Sequence, residues 1–304
     1  MPWWGWLLCL ATVAALLYWL VVITEGAYLG SRIVVALYDR YAARYDEVKQ
    51  FDETDEAFFL GDTLYRDLVA PLRQRGQVPL ILDVATGTGR YPLAVLRATQ
   101  GRCQVWGLDG SKAMLRQARR NMAAAGWPDV MLFHHDASQL CFQDGCFDAV
   151  GCLEALEFLP RPRQALRELW RVLRPGGLLM VSNRIGTQAH LMPGRTFSRP
   201  RLEAFLVELG AVDVTIRPWQ VDYDLATARK RSGQPEIAGA SPDDVLKCPS
   251  CGSSNWSNGW GVARLTCQMC GAAWVCGEEV WHFVAPGAVE RKSYRESRSN
   301  GHSG

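Results

Sequence analysis

The chain opens on an unbroken apolar run. From Pro2 to Thr24 no side chain is charged, and WWGWLLCLATVAALLYWLVVIT, wound as a helix, is long enough to cross about 30 Å of hydrocarbon. Trp3, Trp4 and Trp6 near one end and Tyr18 and Trp19 towards the other suit headgroup depth. A cleaved signal peptide is the competing reading, but no basic residue precedes the run and no small-x-small site follows it. Arg32, Arg40, Arg44 and Lys49 come after the segment and nothing basic comes before it. That asymmetry makes residues 1–25 a single-pass membrane anchor with the bulk of the chain in the cytoplasm. Residues 26–38 (GAYLGSRIVVALY) are also apolar, and either extend the helix or lie in the interface.

From about Pro79 the pattern changes to short apolar runs separated by helical periods, the mark of βαβ units and a mostly parallel sheet. Strands are expected at Leu80–Ala85, Gln104–Asp109, Val130–Asp136, Phe147–Leu153 and Leu178–Asn183, with a terminal pair at Val212–Arg217 and Val221–Thr227. Helices are expected at Arg90–Ala98, Ser111–Ala125 with Ser111 as N-cap, Arg163–Leu173 stopped by Pro175-Gly176-Gly177, and Arg199–Leu209. The fold class is therefore α/β, a Rossmann-like doubly wound sheet of seven mostly parallel strands. The organisation that follows is an anchor at 1–25, a juxtamembrane and lid segment at 26–50, the main domain at 51–231, a Gly/Pro/Ser/Asp-rich linker at 232–246, a cysteine module at 247–285 and a polar tail at 286–304.

Charge and cysteine usage change this picture only by exclusion. Against 33 basic side chains stand 31 acidic ones, so no broad cationic field is available to hold a nucleic acid. Of the ten cysteines, four form two Cys-x-x-Cys pairs and the rest are scattered in apolar surroundings, which fits a reducing compartment.

Candidate chemistry gathers at strand ends. The first strand opens into LDVATGTGRYPL, where Asp83, Gly87 and Gly89 would let a ligand lie against backbone. Asp109 ends the next strand about 20 residues on, where a carboxylate can accept both hydroxyls of a ribose. Asp136-Ala137 ends the third, within reach of an adenine amine, while Met114 and Leu115 pack on the ring. The ordered set LDVATGTG, GLDGSKAML, HHDASQL, CFDAVGCLEALEFL and ALRELWRVLRPGGLLMVSN resembles the class I S-adenosylmethionine methyltransferases, in particular the ubiquinone/menaquinone C-methyltransferase-like group, over residues 38–231.

The resemblance implies that the turn Asp83–Gly89 passes the methionine part of S-adenosyl-L-methionine and that Asp109, with Gly110 and Met114 beside it, holds the ribose. It also implies that Asp136 and Ala137 meet the adenine, and that Leu153 and Glu154 border the sulfonium. Ala85 stands where the usual first glycine does, as it also does in the quinone-methylase-like pattern. YDRYAARYDE matches a stretch that folds over the cofactor, making Tyr38 and Tyr45 lid residues or, equally, core contacts of a helix. An NAD-dependent oxidoreductase shares the glycine turn and the acidic residue, but the RVLRPGG turn and the paired final strands fit it poorly.

Methyl transfer from a sulfonium is an in-line displacement that needs alignment and exclusion of water, and a base only for some acceptors. Glu154 and Glu157 are the candidate bases, or solvated carboxylates at a helix start. His134 and His135 alternate along a strand, so only one should face a site. In the C-terminal module, Cys248-Pro-Ser-Cys251 and Cys267-Gln-Met-Cys270 lie 15 residues apart, the spacing of two knuckles on one structural zinc ion. A redox dithiol pair is the rival. Trp256, Trp260, Val262, Leu265, Trp274, Val275, Val280, Trp281 and Phe283 would supply its strands.

Three functions compete: a membrane-tethered methyltransferase with a small lipid-soluble acceptor, a methyltransferase that docks a protein or RNA through the ribbon, and a non-catalytic scaffold. Nucleic acid is the less expected partner. Whether the ribbon meets a protein, an RNA or the catalytic domain is left open by the sequence.

Overall fold

A computed structural model describes residues 2–49, 52–232, 245–257 and 263–286. Most of the expected linker, the tail, and Trp260 and Val262 lie outside the described residues. The apolar run forms helix α1 (Trp3–Ile23), 21 residues long, with none of them buried. It does not run on into the next apolar stretch. Glu25 and Gly26 take positive φ, as does Gly30, and the chain turns into a separate helix α2 (Ser31–Tyr41). A short helix α3 (Tyr45–Lys49) and a helical run over residues 53–74 (α4) follow.

The strands come where the βα alternation put them: β1 Leu80–Val84, β2 Gln104–Asp109, β3 Met131–His134, β4 Phe147–Cys152, β5 Leu173–Arg184, β6 Ala211–Gln220 and β7 Tyr223–Lys230. Between them lie α5 Arg90–Thr99, α6 Lys112–Ala124, α7 Pro162–Val172, α8 Gly186–His190 and α9 Arg199–Glu208. Strands β1 to β5 are parallel; β7 runs antiparallel to β5, and β6 antiparallel to β7. Every residue of β1 and of β4 is buried, as a central strand covered by helices on both faces requires.

One boundary differs from expectation. Pro175-Gly176-Gly177 does not follow the helix as a loop, because α7 ends at Val172 and β5 begins at once. The motif instead sits in a bulge of β5, where the pairing with β4 jumps from Phe147↔Leu173 to Ala149↔Leu178.

The cysteine module does not stand apart from this sheet. Its strands β8 (Trp256–Ser257), β9 (Arg264–Cys267), β10 (Ala273–Gly277) and β11 (Val280–Val284) continue it, in the order β6-β7-β5-β4-β1-β2-β3-β11-β10-β9-β8. The seam is a parallel pairing of β11 with β3, Trp281 on Phe133 and His282 on His134. Trp274 is fully buried there, its ring 5.6 Å from Phe133, 5.4 Å from Phe283 and 5.7 Å from His135. Burying an indole of roughly 200 Å² contributes up to about 5 kcal/mol by area, shared between the ribbon and the seam and offset in part by the Trp274 Nε1, which is buried without a hydrogen-bond partner.

Candidate active site

The parallel strands all end on one side of the sheet, and the turns that leave them surround a cavity of about 510 Å³. Ala85 and Gly87 come from the turn after β1, Asp109, Gly110 and Ser111 from the end of β2, Met114 from α6, His134 to Ala137 from the end of β3, and Leu153 to Pro160 from the segment after β4. A hollow of about 40 Å³ adjoins it, sharing Tyr45, Ala85, Gly87, Leu153 and Glu154 and adding Asp83, Thr86, Thr88, Arg90 and Tyr91.

The glycine turn is built as a cradle. Ala85 has φ +59° and Gly87 φ +54°, so the chain turns sharply and points backbone at the cavity. A Cβ on Gly87 would meet nothing within 4 Å, because that side is open. Gly89 serves a different end: a Cβ there would lie 2.7 Å from Met122 Cε, so its absence lets α5 start close against α6. Non-glycine residues in the left-handed region are strained, and two of them, Ala85 and Glu154 (φ +49°), border this cavity.

Asp109 ties the cradle to the second strand. It accepts from Gly87 N at 2.8 Å through one oxygen and from Ser111 N at 2.7 Å through the other. Its position deep in the protein pushes its pKa up to about 6, although those amides and that of Gly110 partly oppose the shift. Asp83, wholly shut in at the end of β1, is pushed up to about 8 by burial, with Thr86 countering in part. Asp136 is exposed at the rim and accepts from Ser138 N at 2.8 Å.

His134 and His135 both border the cavity, contrary to the alternation expected of a strand. Strand β3 ends at His134, so His135 is free of the pleat. His134 Nε2 lies 3.0 Å from Gly110 O, and the His282 ring of the ribbon is 5.4 Å away.

Helix α2 and the residues after it form the roof. Val34, Val35, Tyr38 and Asp39 line the cavity from above, with Tyr45 beyond them. A Cβ on Gly110 would come within 3.3 Å of Val35 Cγ2, so this glycine lets the roof sit close. Three polar side chains latch it down. Asp39 accepts from Ser111 Oγ at 2.5 Å, and Ser111 in turn caps α6 through Met114 N. Asp46 accepts from Thr88 Oγ1 at 2.5 Å and Asn121 Nδ2 at 2.8 Å. Lys49 donates to Glu154 at 2.8 Å. Tyr38 packs its ring 5.9 Å from Phe158 and 6.1 Å from Tyr45 and also borders the cavity.

The two candidate bases part company. Glu154 lines the cavity, where burial raises its pKa but Arg90 and Lys49 more than offset that and hold the carboxyl below its usual range. Arg90 also pairs with Glu56 and lies over the Trp219 ring. Glu157 is neither solvated nor among the cavity-lining residues. It is buried behind them, accepts from Tyr223 Oη at 2.5 Å and faces Arg184 Nε at 3.6 Å; burial raises its pKa. Sequence reasoning missed Arg90, Lys49, Glu56, Asp39 and Asp46, whose meeting depends on the roof folding back; the one available signal was their place inside or beside the quoted motifs.

Residues 81–177, from β1 through the bulge of β5, match the methyltransferase domain family. The chain carries a methyltransferase domain. Among the relatives of this domain, the demethylmenaquinone methyltransferase of Clavibacter sepedonicus is 39% identical over 144 residues, covering 46% of this chain and 56% of its own length. That of Thermus thermophilus is 35% identical over 145 residues, covering 48% and 63%. The chain thus spans somewhat over half the length of these relatives. Among solved structures, the [4+2]-cyclase SpnF aligns with a TM-score of 0.51 at 22% identity, over 67% of this chain and 97% of its own, which shows a common fold. The matched residues include Asp83, Asp109 and Asp136 and leave the ribbon and α1 outside.

In the ribbon, the sulfurs of Cys248, Cys251, Cys267 and Cys270 lie within 4.8 Å of one another. Cys248 to Cys270 is 3.6 Å and Cys251 to Cys267 is 3.5 Å. Four thiolates about 2.3 Å from a tetrahedral zinc would stand roughly 3.8 Å apart, so the donor set fits such an ion. Each knuckle closes alike, with Gly252 N donating to Cys248 O and Gly271 N to Cys267 O, both glycines at positive φ.

Proposed function

We propose that this chain is an S-adenosyl-L-methionine-dependent methyltransferase, tethered to a membrane by α1, whose acceptor is a small lipid-soluble molecule of the quinone class. One observation carries the reading: the cavity has the strand-end carboxylates Asp109 and Asp136 on its polar side, with Asp83 in the hollow that adjoins it, and Val34, Val35, Phe158, Leu159 and Pro160 on its apolar side. The polar side suits an adenosyl group and the apolar side an acceptor that partitions into lipid. The names of the matched relatives, demethylmenaquinone methyltransferases, agree with such an acceptor.

The residues present fit the cofactor. The open cradle at Gly87 leaves room that a side chain would fill, and the adjoining hollow offers both signs of charge, Arg90 with Glu154, to a zwitterionic amino-acid end. When bound, the cofactor supplies an electrophilic methyl group on a cationic sulfur. Asp109 would accept from the ribose hydroxyls, Asp136 and Ala137 would meet the adenine, and Met114 would pack beside it. Arg90 and Glu154 would hold the amino-acid end, and Glu154 acts as a positioning group, since a carboxylate held by two cations, Arg90 and Lys49, is a poor base. The latched roof excludes water, and alignment does the rest. Zinc in the ribbon is structural: four thiolates leave no open position. The ribbon joins β3 edge to edge and buries Trp274 at that seam, which gives it a structural role within this fold.

The test is a radiolabelled-cofactor assay on membrane lipid extracts, with the protein in detergent. Label in the organic-extractable fraction supports the proposal; label only in protein or RNA, or no cofactor binding by calorimetry, overturns it.

A further inference from the structure

The end of α1 does not leave the catalytic domain on a free tether. Trp19 Nε1 donates to Leu191 O at 3.0 Å, and the Trp19 ring stacks on Tyr28 at 5.0 Å. Tyr28 Oη donates to Pro193 O at 2.7 Å. Arg195 donates to Leu159 O at 2.6 Å and to Ala27 O at 2.5 Å, so one loop, residues 191–197 after α8, is fastened both to the base of α1 and to the cavity rim.

Depth follows from these contacts. Trp19 stands four residues before the end of α1 at Ile23, about 6 Å back along the helix. If α1 spans the bilayer, whatever touches the Trp19 indole lies at the hydrocarbon boundary. The Leu191 carbonyl touches it. Three apolar side chains face solvent here, Leu191 at 40% exposed, Leu29 at 45% and Ile33 at 42%, with the polar Thr187, Gln188 and His190 exposed beside Leu191. Leu29 and Ile33 flank Ser31 and Arg32, which line the cavity wall.

The geometry points to a second membrane-contacting surface, formed by the Leu191 loop and the outer side of Leu29 and Ile33, that seats the cavity rim in the bilayer interface so that a lipid-soluble acceptor enters without crossing water. The occupant is the lipid surface, because the patch is continuous with α1 at a depth that the Trp19–Leu191 bond sets. The inference rests on reading α1 as a span.

The test places a diazirine-bearing amino acid at Val22, Leu191, Leu29 or Val78, one at a time, in the full chain held in phosphatidylcholine–phosphatidylglycerol nanodiscs, and measures lipid adducts by mass spectrometry after irradiation. Val22 reports the span, and Val78, exposed just before β1 at the opposite end of the strands, reports background. Leu29 provides a second reading should the Leu191 variant misfold. Adducts at Val22, Leu191 and Leu29 with none above background at Val78 are expected. Adducts at Val22 alone overturn the seated surface and leave the tether standing, as does labelling of Val78 equal to that of Leu191. No adduct at Val22 overturns the tether, and the inference with it.

Discussion

Replacing Asp109 with asparagine tests the assignment of the cavity most directly. In the free protein the two carboxylate oxygens accept the Gly87 amide at 2.8 Å and the Ser111 amide at 2.7 Å, and the carboxylate borders the cavity where a ribose hydroxyl would donate. Hydrogen bonds to a charged acceptor contribute about 1.5–3 kcal/mol each. Asparagine keeps one oxygen, now neutral, and turns an amide NH₂ against a backbone N–H, donor facing donor. The expected loss is about 2–4 kcal/mol of cofactor binding, roughly 30- to 700-fold in Kd. Calorimetry with S-adenosyl-L-methionine measures it.

The pH dependence is a second, independent readout. Burial raises Asp109 to about 6, and the cofactor's hydroxyls favour the charged form, so wild-type affinity should be steady above that pH and fall below it. The Asp109→Asn variant should lack that step. A loss in Kd smaller than about 3-fold (under roughly 0.7 kcal/mol), or an unchanged pH step in the variant, would refute the ribose assignment.

Three further outcomes are expected. Removing metal with a strong chelator should release the ribbon, and because β11 pairs with the strand that ends at His134, cofactor affinity should fall along with the near-ultraviolet signal of Trp274; intact affinity after metal loss would show that the two units are uncoupled. Ala85→Gly should raise thermal stability, by about 1 kcal/mol, since φ +59° strains an L-residue; a lower melting temperature would show that the Ala85 methyl's packing outweighs the strain. Asp83, raised to about 8 by burial, keeps a proton in the folded state that the unfolded chain loses above about pH 4, so the cofactor-free protein should lose stability as pH climbs from about 4 to about 8. Thermal melts of wild type and Asp83→Asn across that range check it, and equal slopes would refute it.

Much of the candidate site could be read because its parts are local. Asp83, Asp109 and Asp136 lie at or next to the C-terminal ends of strands, and a parallel sheet places all such ends on one side, so βα periodicity alone brings the turns that carry them together. The four cysteines are equally legible, since two Cys-x-x-Cys knuckles need only their own turns to present sulfur. The 21-residue apolar helix declares itself by composition.

What sequence could not supply are contacts between segments far apart in the chain. Glu157 follows Glu154 by three residues, yet one lines the cavity and the other is buried against Tyr223, a residue 66 positions away. The latches from Asp39, Asp46 and Lys49 join the roof to elements that begin 42 or more residues later. The ribbon's place on β3 and the bond from Trp19 to Leu191, 172 residues on, have no periodic trace at all. Periodicity reports which face of an element is apolar; only the packed structure decides which other element covers that face, because that choice depends on shape and partner chemistry summed over the whole fold.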